Sequence, residues 1–327
     1  MAVLKVLVVD YASNCGEAAH WLPLALRQQG QMTLRAVLAD LAGLDGVELT
    51  PLGADGPFWT RFDVGVHGAD AVWLLAPAAG GILERLSRHV LRSGRILLGS
   101  KPSALRIAGS RRRTSHTLAR AGIDVTASYL PGQRLPAASG AWVVKPDDGT
   151  GWLDSHLFPG AAAALSWIAA DAGAPAATAA SHQSYIMQAF VPGRLGSLAM
   201  LCCDGTAQLL ACNEQRIAIR DNQFHFLGTI VNNLADADGA LDRLAQAVAA
   251  ALPGLWGHIG VDFVQSEHGA VVLDVSAPLG PAYAGLHASI GCNPAALALD
   301  LLERHVTPRV RARPVAVSVD VAAFDRA

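Results

Sequence analysis

Several features that define specialised classes of protein are missing from this sequence. The five cysteines form no CxxC motif and no Cys/His metal-ligand spacing, and their odd number does not suggest a disulfide framework. No apolar run approaches the roughly 20 residues that a membrane-spanning helix needs. The formal net charge is −2 and no long basic tract is present, so the chain is not suited to a phosphate backbone. We expect a cytoplasmic protein that binds neither nucleic acid nor a membrane.

Familiar catalytic and nucleotide-binding motifs are also absent. The sequence contains no GxxxxGK[ST], no HExxH and no GxSxG, which excludes a P-loop and gives no protein nucleophile. The first strand–helix turn, residues 10–16, lacks the glycine pattern that a dinucleotide pyrophosphate needs. A Rossmann oxidoreductase is therefore a poor interpretation.

The first 109 residues alternate between strand and helix patterns. Apolar runs typical of strands buried on both faces occur at residues 4–9, 47–51, 71–75 and 96–98. Helical patterns lie between them at residues 17–29, closed by Gly30, and at residues 81–92. This alternation predicts a parallel sheet with right-handed crossovers, that is, a doubly wound N-terminal α/β domain.

The remainder of the chain predicts antiparallel strands with fewer helices. Helices are predicted at residues 110–121, 160–171, 238–252 and from Pro294 onwards, with Asn293 as the N-cap. Strands are predicted at residues 125–130, 141–145 and 184–191, and in two hairpins, 196–203 with 206–213 and 259–264 with 270–275. The predicted fold class is therefore α/β (α+β overall), with a doubly wound parallel-sheet domain followed by a two-lobed module of antiparallel sheets.

Two acidic residues lie on the second predicted hairpin. A tight turn centred on His268 sets Asp262 opposite Asp274. With residues 271, 273 and 275 facing the core, Asp274 and Ser276 share the other face with Asp262. Two carboxylates directly across a hairpin repel each other by roughly 0.2–1 kcal/mol, so a cation between them is expected, and Mg²⁺ is the natural candidate. The alternative is a solvated acidic pair on an exposed face.

Two basic features precede this hairpin. Lys145 ends an apolar strand and is followed by the loop 146–151, whose backbone N–H groups suit phosphate oxygens. Arg111, Arg112 and Arg113 fall in the first turn of a predicted helix, where cations oppose the helix dipole. An anionic ligand would explain at least one of them. The alternatives are a lysine that snorkels at a strand end and a solvated basic helix face.

Taken in chain order, these elements resemble the ATP-grasp superfamily. The resemblance lies in the basic helix start and in residues 145–151, 188–193, 260–263 and 273–276. It covers nearly the whole chain, and it implies a domain at residues 1–109, a first lobe at 110–191 and a second lobe at 192–327. Four further stretches, residues 75–77, 97–100, 212–216 and 283–286, are similar to the tyramine–glutamate ligase subgroup of methanofuran biosynthesis.

The resemblance implies a role for each matching residue. Lys145 would hold the α- and β-phosphates of ATP, with Arg111 as its catalytic partner. The other implied positions are Asp148, Gly149 and Gly151 over the β- and γ-phosphates; Gln188, Ala189, Phe190 and Val191 beside adenine; Asn213, Gln215 and Arg216 near the nucleotide or acceptor; and Asp262, Asp274 and Ser276 at the metal. ATP and Mg²⁺ are the implied cofactors, and a small-molecule carboxylate and an amine are the implied substrates.

Three positions depart from the family pattern, which usually has Glu at Asp274, Asn at Ser276 and Arg at Pro278. A shorter acid and a hydroxyl in place of an amide weaken the geometry that Mg²⁺ demands. Two hypotheses therefore stay open. The favoured one is a carboxylate–amine ligase that works through an acyl phosphate in the synthesis of a small molecule or cofactor. The other is a degenerate protein that binds nucleotide or a metabolite without catalysis. A homodimer is left open.

Overall fold

In the computed structural model the chain is described over residues 3–16, 22–136, 140–148, 152–172, 184–304 and 314–321. The helices of this part are α1 (Tyr11–Asn14), α2 (Leu24–Ala42), α3 (Phe58–Gly68), α4 (Ile82–Arg92), α5 (Pro102–Ala108), α6 (Arg111–Arg120), α7 (Ala161–Ala172), α8 (Ala240–Ala251), α9 (Tyr283–Ile290) and α10 (Pro294–Arg304). The strands are β1 (Leu4–Asp10), β2 (Val47–Thr50), β3 (Ala71–Leu75), β4 (Ile96–Leu97), β5 (Trp142–Pro146), β6 (His156–Phe158), β7 (Tyr185–Ala189), β8 (Arg194–Cys203), β9 (Thr206–Arg220), β10 (Gln223–Val231), β11 (Gly257–Ser266), β12 (Gly269–Ser276) and β13 (Val317–Asp320). None of these helices has the length and apolar character needed to cross a bilayer.

The first four strands form a parallel sheet in the order β2-β1-β3-β4. Successive side chains of β1 point to opposite faces, so Val6 packs with α2 while Leu7 packs with α3 and α4. Every residue of β3 is buried because both faces of the sheet are covered by helices. The doubly wound domain predicted from the alternating pattern is therefore confirmed.

Helix α2 differs from the predicted helix. The prediction ends a helix of residues 17–29 at Gly30, but α2 continues through this glycine to Ala42. The beginning of the predicted helix, residues 17–21, lies outside the described part. A glycine inside a helix costs about 1 kcal/mol relative to alanine, and the packing of α2 against the sheet outweighs that cost. A Cβ at Gly30 would lie 3.5 Å from Oδ1 of Asp10, so the glycine also keeps space beside this carboxylate.

The remaining strands form a nine-stranded sheet in the order β12-β11-β8-β9-β10-β6-β5-β7, with β13 paired to β10. Its strand pairs are antiparallel. The turn between β8 and β9 is formed by Asp204 and Gly205 with φ of 45° and 79°, the left-handed values that a two-residue hairpin requires. The Asp-Gly hairpin signal is thus confirmed, and the antiparallel module follows the parallel domain as predicted.

A β-bulge in β12 changes the predicted inward-facing residues. The register across β11 and β12 skips Leu273, which is the extra residue of the bulge. Val272 and Val275 are therefore buried, with 2% and 1% of their surface exposed, and Val271 and Leu273 are only partly buried. The predicted core positions 271 and 273 are wrong and position 275 is right. Strict alternation fails here because the bulge shifts the phase of the strand by one residue.

Other differences lie where the local pattern is weak. The segment predicted as a strand at residues 125–130 makes only isolated bridges within the described part, from Val125 to Val272 and from Tyr129 to Met187. The elements that the sequence pattern does not predict are α1, α3, α5, α9, β6, β10 and β13. The predicted cap of α10 is confirmed, because Oδ1 of Asn293 accepts from the N–H of Ala295 at 2.9 Å.

A shared apolar core joins the parallel domain to the large sheet. Trp73 of β3 packs with Tyr283 of α9 and Ala298 of α10. Asp40 of α2 adds a polar link, since its Oδ1 lies 2.6 Å from Nδ1 of His287 on α9. These contacts fix the carboxyl ends of β1 and β3 against one face of the nine-stranded sheet, and a cavity lies between them.

Candidate functional site

Two facing carboxylates mark the site. Asp262 of β11 is paired directly with Asp274 of β12, as predicted, although the turn is formed by Glu267 and His268 and the bulge at Leu273 is what brings the two acids opposite each other. The next strands place Ser197 opposite Asp262 and Asn213 opposite Ser197. Asn213 Nδ2 donates to Ser197 Oγ at 3.3 Å. Because directly paired residues point to the same face of a sheet, these four side chains form one polar row across four strands.

Arg111 approaches the polar row from the first turn of α6. Its Nε lies 3.3 Å from Oδ2 of Asp274, and the two side chains are 2% and 16% exposed. Its Nη1 donates to the carbonyl of Pro146. From the sequence, an anionic ligand is expected to explain why a cation such as Arg111 stands at this helix start. For Arg111 the chain itself supplies an acid and a carbonyl, so no ligand is required for that purpose.

Lys145 is the second cation at the polar row. It lies in β5, paired with Ile186 of β7, and 6% of its surface is exposed. Burial and then the charge of Arg111 lower the pKa of Lys145 to about 7, while Asp274 and Asp262 act in the opposite direction. Within the described residues its ammonium group makes no hydrogen bond or close ion pair. Lys145 is thus coupled to the two acids through space and is not bonded to either.

Asp262 is held by a neighbour on β9. Gln215 Nε2 donates to Asp262 Oδ1 at 2.6 Å, and Trp152 Nε1 donates to Gln215 Oε1 at 2.9 Å. Burial and then Asp274 raise the pKa of Asp262 to about 7, against the lowering effects of this hydrogen bond, Lys145 and Arg111. Arg216, the other polar residue assigned to this stretch, pairs with Asp320 of β13 instead.

The loop after Lys145 is tied to two other elements. Asp148 Oδ2 accepts from the N–H of Gly80, at the start of the helical segment before α4, at 3.2 Å. Asp147 Oδ1 accepts from the N–H of Arg112 at 2.8 Å and so helps to cap α6. The two other residues assigned to phosphate binding, Gly149 and Gly151, lie outside the described part. Asp148 therefore links this loop to the parallel domain.

The predicted adenine hinge lies at the end of β7. Gln188 is buried, and its Nε2 donates to Ser128 Oγ at 2.8 Å. Ala189 and Val191 are half-buried, and Phe190 is 38% exposed with its N–H bonded to a backbone carbonyl at 2.9 Å. The side chain of Gln188 thus serves the fold, while Phe190 offers an exposed apolar surface at the end of β7.

The two acids offer oxygen ligands of the kind that Mg²⁺ prefers. Ser276 follows Asp274 on the same face of β12, and its Oγ donates to the Pro278 carbonyl at 3.4 Å. The described residues contain no group of three or more His, Cys, Asp or Glu side chains placed for a metal. A divalent cation would therefore be held by two carboxylates with Ser276 as a weaker oxygen donor. Burial and then the charge of Asp274 raise the pKa of Asp262, and a bound cation would favour its ionised form, so the donor set fits Mg²⁺.

A cavity of about 510 Å³ opens beside the polar row, a volume typical of small-molecule sites. Its walls are mainly apolar and come from both the parallel domain and the nine-stranded sheet. Asp262 and Ser276 line it on the sheet side, and Asp10 lines it on the side of the parallel domain. None of the described lining residues is Lys or Arg. Asp262 is therefore shared between the two cations and the cavity.

Asp10, which directly follows the first predicted strand and has no predicted role, also lines the cavity. It is 3% exposed, and its Oδ2 accepts from both N and Oγ of Ser13, at 3.1 and 2.5 Å. Burial raises the pKa of Asp10 against the lowering effect of these hydrogen bonds. Its Oδ1 has no hydrogen-bond donor in the described part of the chain. The available signal is its position, because ligands of open α/β sheets bind at the carboxyl ends of the strands.

Comparison with known proteins agrees with this architecture. The pre ATP-grasp 3 domain family matches residues 32–105, and the ATP-grasp domain family matches residues 108–279. A search of curated proteins found no match.

Solved structures share the fold at low sequence identity. An ATP-grasp superfamily protein from Archaeoglobus fulgidus superposes with a TM-score of 0.69 at 18% identity, over 97% of this chain and 99% of that one. L-amino acid ligase from Bacillus licheniformis gives 0.66 at 14% identity, over 96% and 78% of the two chains. D-alanine–D-alanine ligase from Bacillus anthracis gives 0.65 at 14% identity, over 92% and 96%. Since the ATP-grasp domain match spans more than half of the 327 residues, the chain belongs to the ATP-grasp family.

Proposed function

We propose that this protein is an ATP-dependent ligase that joins a carboxylate to an amine and releases ADP and phosphate. The observation that carries the proposal is the convergence of Lys145 and Arg111 on the facing pair Asp262 and Asp274. A triphosphate with its divalent counter-ion needs cations for its oxygens and acids for the metal. Both are present at one polar row.

The two cations would bind phosphate oxygens. Lys145 is buried, has no close partner among the described residues and has a pKa lowered to about 7. A bound phosphate adds negative charge beside it, which raises that pKa and favours the ammonium form. Arg111 is held in place by Asp274, and its guanidinium can offer further N–H donors in a fixed plane. Lys145 would therefore respond to the nucleotide, and Arg111 would be preorganised for it.

Asp262, Asp274 and Ser276 would hold the Mg²⁺ ion, which supplies positive charge to the phosphate oxygens when it is bound. The chain's own task is to hold these ligands close to the two cations and, for Asp262 and Ser276, at the wall of the cavity. The paired register of β11 and β12 fixes the two acids opposite each other. The bonds from Gln215 to Asp262 and from Arg111 to Asp274 fix their orientation.

In the proposed reaction a carboxylate oxygen of the substrate attacks the γ-phosphorus of ATP, the bond to the bridging oxygen breaks, and ADP leaves. The protonated amine gives up one proton to solvent, and its nitrogen then attacks the acyl carbon, loses a second proton, and expels phosphate to leave an amide. Neither step needs a protein nucleophile. The protein contributes positioning and electrostatic stabilisation of the transferred phosphoryl group.

The cavity would receive the amine. Asp10 and Asp262 are its acidic lining residues, and none of its described lining residues is Lys or Arg. A protonated amine is therefore favoured there over an anion. The carboxylate substrate would approach from the side of Lys145 and Arg111, which do not line the cavity. Asp262 would then stand between the two substrates.

The similarity to the tyramine–glutamate ligase subgroup supports a role in the synthesis of a small molecule or cofactor. Residues 212–216, one of the four similar stretches, run through Asn213 and Gln215 of the site. Both side chains line the cavity as well. The similar stretch thus contains two residues that would contact the amine substrate.

A second candidate is a protein that binds nucleotide without turnover. Its support is the pairing of Arg111 with Asp274 and the small donor set at the metal position, where Ser276 bonds to the Pro278 carbonyl. The charges at the polar row are then balanced by the chain itself. This candidate predicts a nucleotide affinity that is indifferent to Mg²⁺.

The deciding experiment is a screen for ADP release over pools of amino acids and amines, with and without Mg²⁺. The ligase is expected to release ADP only with Mg²⁺ and with both a carboxylate and an amine present. Lys145→Ala should abolish this release, whereas Lys101→Ala, at an exposed lysine that pairs with Asp204, should not. Nucleotide binding without Mg²⁺ dependence, and no ADP from any pool, would instead establish the second candidate.

A further inference from the structure

Trp152 and Gln215 form a hydrogen-bonded chain that ends on Asp262. The indole N–H of Trp152 donates to Gln215 Oε1 at 2.9 Å, and Gln215 Nε2 donates to Asp262 Oδ1 at 2.6 Å. Trp152 and Gln215 are separated by 63 residues in the sequence. The chain therefore connects the segment after the phosphate loop to the proposed metal site.

The direction of this chain is fixed by its first member. An indole N–H can only donate, so the oxygen of the Gln215 amide must face Trp152. The amide NH₂ must then face the other way, towards Asp262, whose carboxylate accepts. Without the indole, only the carboxylate orients the Gln215 amide, and a half-turn that brings the amide oxygen towards Asp262 no longer costs the bond to Trp152. Trp152 thus helps to fix which end of the Gln215 amide faces Asp262.

Trp152 is itself held firmly. Its ring packs on Phe224 with ring centroids 5.4 Å apart and an angle of 33°. Phe224 is 5% exposed, and its N–H donates to the carbonyl of Ser155 at 2.9 Å. The indole is therefore fixed both by stacking on β10 and by the backbone that follows it.

We propose that Trp152 and Gln215 are positioning residues for Asp262: Trp152 sets the orientation of the Gln215 amide, and the amide turns the carboxylate towards Asp274 for the metal. This inference rests on the proposed function, because it takes Asp262 as a Mg²⁺ ligand. Groups that orient metal ligands in this way commonly change metal affinity by 10- to 100-fold when they are removed. In this role the two residues act through Asp262, although both also line the cavity.

The first test needs no metal. Indole N–H signals of ¹⁵N-labelled protein are recorded by NMR, and the Trp152 signal is identified by its loss in Trp152→Phe. We expect this signal to exchange slowly with solvent and to shift and exchange faster in Gln215→Leu, while the other indole signals stay in place. A Trp152 signal that is unaffected by Gln215→Leu would overturn the hydrogen-bonded chain.

The second test measures the affinity for Mn²⁺ in the presence of ADP, by electron paramagnetic resonance of the free ion. Trp152→Phe keeps a ring on Phe224 and removes only the donor. We expect Trp152→Phe and Gln215→Leu each to weaken Mn²⁺ binding by about 10- to 100-fold. We expect the double variant to match Gln215→Leu alone, because Trp152 acts only through Gln215. Trp59→Phe, at a tryptophan 42% exposed on α3, is the matched control and should change nothing.

The outcomes separate the positioning role from the proposed function. Suppose that the wild-type protein binds Mn²⁺ and that Trp152→Phe weakens binding equally in the wild type and in Gln215→Leu. The coupling through Gln215 is then wrong and the metal site stands. If neither variant changes the affinity, positioning is wrong and the metal site again stands. If the wild-type protein binds no Mn²⁺ with ADP, the metal site of the proposed function fails, and the positioning role fails with it.

Discussion

Arg111 and Asp274 form a buried ion pair that joins α6 to β12, with 3.3 Å between Nε and Oδ2. In this pair Arg111, a proposed phosphate-binding cation, contacts Asp274, a proposed metal ligand. Removing one partner of a buried pair leaves the other charge without compensation, which costs more than the pair itself contributes. The pair is therefore both a structural link and a part of the candidate site.

Arg111→Met should lower the free energy of unfolding by about 3 kcal/mol, the lower end for a broken buried pair because Asp274 is 16% exposed. Arg112→Met, at the exposed neighbour, should change it by no more than about 0.5 kcal/mol. Urea unfolding of both variants measures the difference. Equal losses of unfolding free energy in the two variants would mean that the start of α6 is sensitive to any substitution and that the ion pair is not the cause. Arg111→Met combined with Asp274→Leu should recover most of the loss.

The stability of the nucleotide-free and metal-free protein should pass through a minimum near pH 7. The pKa of Asp262 is raised from 3.8 to about 7, so between these two pH values the folded state holds a proton that the unfolded state has lost. The free energy of unfolding therefore falls as the pH rises towards 7. The pKa of Lys145 is lowered from 10.5 to about 7, so the unfolded state holds the extra proton above pH 7 and stability rises again.

Two variants separate these contributions. Asp262→Asn should remove the fall below pH 7, and Lys145→Met should remove the rise above it. Urea unfolding with EDTA, repeated from pH 5 to pH 10, provides the measurement. A wild-type curve that is flat across both windows would show that neither group is perturbed as described.

Asp10→Asn should raise the KM for the amine by about 10-fold or more, because a hydrogen bond to a charged group is lost. The KM for ATP should not change, since Asp10 does not face the cations. Asparagine caps a helix as well as aspartate does, so the cap on α1 should survive. Ser13→Ala, which weakens that cap and keeps the charge, should leave both KM values nearly unchanged. Initial rates of ADP release measure all four values, and a parallel rise in both KM values would contradict this role.

Ser276→Asn should lower the Mg²⁺ concentration needed for half-maximal activity, by about 10-fold, because an amide oxygen is a better ligand than a hydroxyl. There is room for the longer side chain, since Ser276 borders the cavity and the residue opposite it is Gly260. Ser276→Ala should act in the opposite direction. An unchanged Mg²⁺ requirement in both variants would show that this position does not contact the ion.

Features set by neighbouring residues could be predicted from the sequence. The Asp204-Gly205 turn fixes the hairpin of β8 and β9, and the pair Asn293-Pro294 fixes the start of α10. Each depends on backbone preferences within a few residues, which the local pattern records. The strand–helix alternation likewise predicts the parallel domain.

Features that depend on distant contacts could not be predicted. Helix α2 runs through Gly30 because the sheet packs against it. Asp262 faces Asp274 because Leu273 is bulged out of the strand pairing between β11 and β12. The bond between Trp152 and Gln215 joins residues that are 63 positions apart and leaves no periodic signal. Asp10 gains its place in the cavity only when two domains meet. Local propensity carries no information about any of these contacts.

The nine-stranded sheet is joined unevenly along its width. β6 and β10 share only the pair Gln223 and His156, whereas β9 and β10 are paired along most of their length. Swinging β5, β6 and β7 as a unit about this seam would break few hydrogen bonds. Trp152 precedes β6, but its ring packs on Phe224 of β10 and its N–H bonds to Gln215 of β9. Its contacts therefore cross the seam, and a swing that kept them would have to turn about Trp152 itself.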